Sequence, residues 1–182
     1  MTRLTLLILF IATAAWAQDG PADRDTLLDP DRADGGARRT LYRVQMQRSR
    51  GEVEEARRTL REHLADHPDQ DHALLHFHLG QVLAQSDSMA AAAGEFETAV
   101  AMEPGLWPAW RNLGEVSYGE ADYKRAAEAF GQAWRLDPSR EEELRYYQGV
   151  AYLQAGLGAE ATDVLAELLE DPTAETPLEW YR

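Results

Sequence analysis

The sequence predicts an all-α fold built from repeated helix pairs, and three observations predict it. Pro104, Pro138 and Pro172 stand 34 residues apart, with Pro68 another 36 before Pro104. The residues ahead of two of these prolines match slot for slot. Ala133, Phe130, Ala126, Gly114 and Leu113 before Pro138 repeat as Ala99, Phe96, Ala92, Gly80 and Leu79 before Pro104, and only Trp110 and His76 differ. Finally, apolar residues recur at intervals of three and four, as in Leu144, Tyr147 and Ala151, which is the period of a helix and not of a strand. A fixed period near 34 residues marks a chain made of stacked repeat units, and the three-and-four spacing makes those units helical.

The chain starts differently. A short start with one positive charge (Thr2, Arg3) leads into an apolar run from Leu4 to Ala15. The run closes on Ala15-Trp16-Ala17, followed by Gln18. A basic start, a short apolar stretch and a small-x-small ending are the parts of a secretory signal peptide, so residues 1–17 are expected to direct export and to be cleaved after Ala17. The run is short for a membrane span. With no cysteine in the chain, an exported product uses neither disulfides nor a cysteine-linked lipid. The expected location is a bacterial periplasm or the extracellular space.

Residues 18–36, QDGPADRDTLLDPDRADGG, are acidic, rich in Pro and Gly, and offer only Leu27 and Leu28 for burial. That composition predicts a disordered linker. Helices are then expected at about 37–50, 52–66, 71–86, 88–102, 107–119, 122–136, 140–155 and 159–170, paired into units of about 37–70, 71–106, 107–140 and 141–174. Gly80, Gly114 and Gly149 are small enough for the two helices of a pair to approach closely, and Ala92, Ala126 and Ala161 answer them from the partner helix. Phe96, Phe130 and Leu165 are expected between one unit and the next. Each proline ends the second helix of its unit, because the residue before it is pushed out of helical geometry. Ser139 with Glu142 three residues on predicts a capping box that restarts the helix. Residues 173–182 end in ETPLEWYR, with Pro177 suited to a first helical turn. This stub is expected either to fold back as a cap or to begin a further helix of a longer protein.

The stretches AWRNLGEVSYGEADYKRAAEAFGQAWRLDP (109–138) and ALLHFHLGQVLAQSDSMAAAAGEFETAVAMEP (73–104) resemble the tetratricopeptide repeat, and weaker matches extend the resemblance over about residues 37–172. The resemblance implies a right-handed α-solenoid of about four stacked repeats, with a concave groove lined by the first helix of each pair. One repeat cannot bury its own faces, so stacking supplies the stability.

Charge narrows the partners. The chain has 18 basic and 32 acidic side chains, a net of −14. That excess disfavours nucleic acid and anionic membranes. Residues 37–62 run against the trend, with eight Arg against four Glu, while residues 63–182 carry seven basic and 22 acidic residues. No nucleotide loop or nucleophile motif appears, and Glu141–Glu143 read as acids at a helix start, where the helix dipole favours them. The sequence therefore reads as no enzyme.

Two functional readings remain. In the first, the chain is an exported scaffold that holds a protein or peptide in its groove through Tyr42, Arg48, Phe77, Gln81, Arg111, Asn112, Glu115, Tyr118 and Tyr146. The arginines would draw an acidic segment, and the aromatic residues would act as anchors. The clamp that some tetratricopeptide proteins use for a C-terminal carboxylate needs Lys and Asn where Phe77 and Gln81 stand, so that activity is not carried over. In the second reading, the chain binds or delivers a metal. All five histidines lie within residues 63–78, and His63/His67 and His72/His76 form two i,i+4 pairs on neighbouring helices. Such imidazoles, with acidic side chains nearby, suit zinc, copper or nickel. No other cofactor is implied. The competing explanation gives each histidine a separate packing or helix-end role.

Overall fold

The computed structural model describes residues 27–33, 35–136 and 142–170. Eight α-helices occupy these residues: α1 Gly35–Ser49, α2 Val53–Asp66, α3 Ala73–Gln85, α4 Met89–Met102, α5 Trp107–Gly119, α6 Tyr123–Leu136, α7 Glu142–Gln154 and α8 Gly158–Glu170. Each agrees with its expected span to within two residues at either end, and no strand occurs among the described residues. The expected signal segment, the Ser139–Glu142 box and the stub after Pro172 lie outside the described residues, wholly or in part.

The chain divides into two compact units, one ending at Leu106 and one beginning at Trp107. In both, the helices pair antiparallel through the same short turn. The first helix of each pair ends, and one residue of the turn adopts a left-handed backbone: Gly51 (φ 74°), Asp87 (φ 54°), Ala121 (φ 62°) and Gly156 (φ 75°). The next N–H then reaches back five residues, as Glu52 to the Gln47 carbonyl at 2.9 Å, Ser88 to Leu83 at 3.0 Å, Asp122 to Ser117 at 2.9 Å and Leu157 to Tyr152 at 2.9 Å. These are Schellman closures, which use carbonyls that a helix end leaves without partners. Four copies of one turn, spaced like the prolines, are the local device that makes the repeat.

The helix contacts follow the small residues. A Cβ added at Gly80 would lie 2.7 Å from the Phe96 ring, at Gly114 2.7 Å from Phe130, and at Gly149 2.5 Å from Leu165. Glycine is thus what lets the large side chain of the second helix lie flat on the first. This places Phe96, Phe130 and Leu165 inside their own pairs, and not only between units as expected. Phe130 also meets the next helix, with its ring 5.7 Å from that of Tyr147. In the second unit Ala126, Ala127, Phe130, Ala133, Leu144 and Ala151 form the core, flanked by Trp110, Tyr118, Trp134, Tyr147 and Tyr152.

The expected disordered linker needs a correction over its last part. Asp29 caps a short 3-10 turn at Pro30–Arg32 by accepting from the Asp31 N–H at 2.8 Å. Arg32 donates to the Leu27 carbonyl at 2.8 Å and pairs with Glu103, 71 positions along the chain. Pro30 and Ala33 are buried, and α1 starts at Gly35. Composition suggested disorder because the segment has little to bury, but its polar side chains find specific partners. Gly36 completes the seat: its N–H donates to Gln70 Oε1 at 2.7 Å, and a Cβ there would fall 2.0 Å from that oxygen.

Candidate partner-binding site

The residues expected to line a groove separate into two polar clusters, one in each unit, and a remainder that joins neither. In the first unit the cluster spans α1 and α3. Arg48, in the last turn of α1, donates from Nη1 to Gln81 Oε1 at 2.6 Å, and the same nitrogen lies 3.1 Å from His78 Nδ1. Gln81 Oε1 is 3.2 Å from His78 Nδ1. His78 is 4% exposed, and burial, followed by the Arg48 charge, pushes its pKa down to about 3. The imidazole is therefore neutral at physiological pH and holds the guanidinium without adding charge. Burial also lowers the Arg48 pKa. No carboxylate pairs with Arg48 among the described residues.

In the second unit the cluster spans α5 and α7. Arg111 is 8% exposed and pairs with Glu115 one turn on, Nη2 to Oε1 at 2.9 Å. Burial pushes the Glu115 carboxyl upward, and the nearby Glu143 adds to this against the opposing pull of Arg111. Glu143 in turn accepts from the Tyr147 hydroxyl at 3.1 Å. Burial and then Glu143 raise the Tyr147 pKa. Tyr118 is half-buried, stacked edge-on against Tyr123 at 5.1 Å, with Tyr146 close enough to influence its ionisation. Asn112 and Tyr146 are half-buried on the same two helices.

Two expected residues fall elsewhere. Phe77 is 1% exposed and its ring lies 6.1 Å from Phe96, so it is a core residue of the α3–α4 pair and no anchor for a partner. Helix α3 is apolar on nearly every side because it packs on α1, α2 and α4, so its sequence does not single out an outward face. Tyr42 is exposed, but its hydroxyl donates to Asp31 at 3.0 Å. Six residues separate it from Arg48, which is about 120° around the helix, so the two serve different faces.

The four candidate metal-binding histidines do not come together, and among the described residues no group of three or more candidate ligands could hold an ion. His63 is buried, with Nδ1 3.1 Å from the Thr40 hydroxyl. His67 ends α2, its N–H bonded to the His63 carbonyl, and its ring stands 5.2 Å from that of His63. His72 caps α3 by accepting the Leu74 N–H at Nδ1, 3.2 Å away. His76 sits between carboxylates, Nδ1 2.6 Å from Glu95 and Nε2 3.0 Å from Asp71. Burial opposes charge on His76, but the two acids outweigh it and raise its pKa. Ring nitrogens of His63, His72 and His76 are each committed to a local partner, and the His67 ring lies beside that of His63.

With these clusters in view, the comparisons place the chain. The model of the tetratricopeptide repeat matches residues 45–106 and 111–175, most of the chain. The chain belongs to the tetratricopeptide repeat family. A curated relative, the chloroplastic tetratricopeptide repeat domain-containing protein PYG7 of Arabidopsis thaliana, is 27% identical over 100 residues, which are 50% of this chain and 33% of that protein. The chain thus spans about a third of that relative's length. Among solved structures, MamA residues 41-end from Desulfovibrio magneticus RS-1 superposes with a TM-score of 0.62 at 20% identity, covering 84% of this chain and 81% of that one. YrrB, described as a repeat protein with an unusual peptide-binding site, gives 0.66 at 18% identity, covering 80% and 73%. At these identities the likeness shows the fold, an all-α tetratricopeptide repeat architecture.

Proposed function

We propose that this chain is an exported, non-enzymatic scaffold whose repeat helices bind a protein or peptide. The observation that carries the reading is the half-buried Arg48 guanidinium, which neutral groups hold on the first helices of two successive repeats. A desolvated cation without a counter-ion is unfavourable in a free fold and suits a fold completed by a partner. The half-buried Tyr118 and Tyr146 in the second unit add aromatic surface of the kind that anchors partners. The peptide-binding site of YrrB supports the same use of this architecture. Export rests on the pattern of residues 1–17, and a periplasmic or extracellular site follows from it. The separate employment of His63, His67, His72 and His76 favours this reading over metal delivery.

Affinity capture from the native host's envelope fraction, with N-terminal sequencing of the mature chain, tests it. The expected result is a chain starting at Gln18 and a partner set lost in a Tyr118→Ala/Tyr146→Ala variant that keeps its helical signal. A partner set unchanged by that variant and by Arg48→Met contradicts the scaffold reading.

A further inference from the structure

The left-handed turn residues set the repeats in register: Gly51 stands 36 positions before Asp87 and 105 before Gly156. By those offsets, four residues of α7 that face α6 have counterparts on α1. Leu144 and Ala151 belong to the core shared with α6, and Tyr147 packs against it. Gln148 meets Gly131 of α6, where an added Cβ would lie 2.5 Å from the glutamine side chain. The same slots on α3 hold Leu75, Val82, His78 and Leu79, all buried. On α1 they hold Arg39, Met46, Tyr42 and Arg43, all exposed. Helix α1 thus turns to solvent the face that α7 packs on a preceding second helix.

That face carries one sign of charge. Helix α1 has Arg38, Arg39, Arg43 and Arg48 and no acidic residue, in a chain whose net charge is −14. Arg39 and Arg43 form no ion pair among the described residues. Tyr42 and Met46, 48% and 50% exposed, stand one turn apart beside them. A face that only kept a repeat soluble would mix signs and would need no large apolar side chains. Asp31 already reaches its edge, accepting from the Tyr42 hydroxyl and lying 3.8 Å from Arg38, so an acid is accommodated there.

Helix α8 supplies the complement. It takes the place of α6 one repeat on, since Leu165 lies against Gly149 as Phe130 lies against Gly114. At the slots of Ala127 and Gly131, which α6 buries, α8 has exposed Thr162 and half-buried Ala166, small side chains that allow the same close approach. Beside them Glu160, Asp163 and Glu167 run along one side at three- and four-residue spacing, and the helix has no Lys or Arg. Glu167 pairs with Arg145, whereas Glu160 and Asp163 have no cationic partner among the described residues.

We propose that α1 of one copy packs on α8 of a second copy, repeating between chains the contact that α7 makes with α6 within one. Charge selects the pairing, because two α1 faces or two α8 faces would oppose like charges. The contact joins two different patches, so a dimer keeps one free face of each kind and takes up further copies unless a ring closes. It stands independently of the scaffold reading, whose aromatic residues Tyr118 and Tyr146 lie on α5 and α7.

The test is sedimentation velocity of the full exported chain over a range of concentrations at low and high salt. Expected is a mass that rises with concentration past that of a dimer and falls back in high salt. Arg39→Glu/Arg43→Glu and Glu160→Arg/Asp163→Arg should each weaken association at least tenfold. An equimolar mixture of the two variants should recover it, because each reversed face then meets its complement, and recovery also certifies that both variants fold. A parent chain that stays monomeric at every concentration overturns the inference and leaves the α1 face to this chain's own residues 18–26 or to a different acidic protein. Association that neither variant weakens overturns it too, as does a mixture that stays monomeric while both variants keep their helical signal.

Discussion

The two units share a backbone and differ in what they do with an arginine. In both, glycine lies under a phenyl ring, the turn closes on a left-handed residue, and a polar cluster joins the first helices of successive repeats. In the first unit Arg48 has only neutral partners among the described residues, Gln81 and His78. In the second, Arg111 faces Glu115, with Glu143 close behind. The same architecture thus carries an open cation in one unit and a crowded pair of acids in the other. Repeat packing fixes where a side chain goes, and its nearest charged neighbours decide what it does there.

The shared part should respond alike in both units. Gly80→Val and Gly114→Val each force a Cβ into a ring that lies 2.7 Å away, and each should cost about 3 kcal/mol by denaturant melting. Native-state hydrogen exchange should show the first loosening in the unit that carries the change. A large difference between the two costs would break the likeness of the units.

The polar clusters should respond in opposite ways. Arg111→Met strips Glu115 of its counter-ion in a mostly buried site and should destabilise by about 2 kcal/mol. Arg48→Met removes a cation with no carboxylate partner and should leave stability within about 0.5 kcal/mol of the parent, or raise it. Equal losses in the two variants, read from paired urea melts, would erase the distinction.

The smallest effect concerns the turns. Ala121 holds a left-handed backbone that Gly51 and Gly156 hold at equivalent positions. That conformation costs an L-residue about 1 kcal/mol, so Ala121→Gly should stabilise by roughly that amount, less the added freedom of glycine in the unfolded chain. Gly51→Ala should lower stability by a comparable step. Thermal melts of the two variants compare them directly.

The sequence made the fold legible because its signals are local and repeated. The proline spacing, the glycine and alanine slots and the helical period set every described helix to within two residues. The left-handed Asp87 and Ala121 were not legible, since neither residue type advertises that conformation as glycine does. Arg48 and Arg111 looked equivalent as groove cations. The i,i+4 spacing of Arg111 and Glu115 was the available signal that one of them is neutralised. Phe77 was misread because α3 packs on three helices and carries apolar residues on nearly every side. The histidine cluster is closer in sequence than in space: the His63 and His67 rings stay together, but the turn at Pro68 separates them from His72 and His76, which bond to Leu74 and to Asp71 and Glu95.

The pH response separates the clusters most directly. His78 is held neutral in the fold, so as pH falls from the ordinary histidine range toward about 3 the unfolded chain takes up a proton that the fold does not, and stability is lost. His76 works in the other sense: its raised pKa adds stability that is complete below the ordinary histidine value and is lost as pH rises through the raised one. Glu115 also has a raised pKa, so the stability it contributes is complete below the ordinary glutamate value and is lost as pH rises through the raised one. The decisive measurement is a site-resolved NMR titration of the His78 ring and the Glu115 carboxyl in one sample. Expected are a His78 ring that stays unprotonated until about pH 3 and a Glu115 carboxyl that titrates above the ordinary glutamate value. A His78 that titrates like a free histidine, or a Glu115 that ionises like an exposed glutamate, would contradict that expectation.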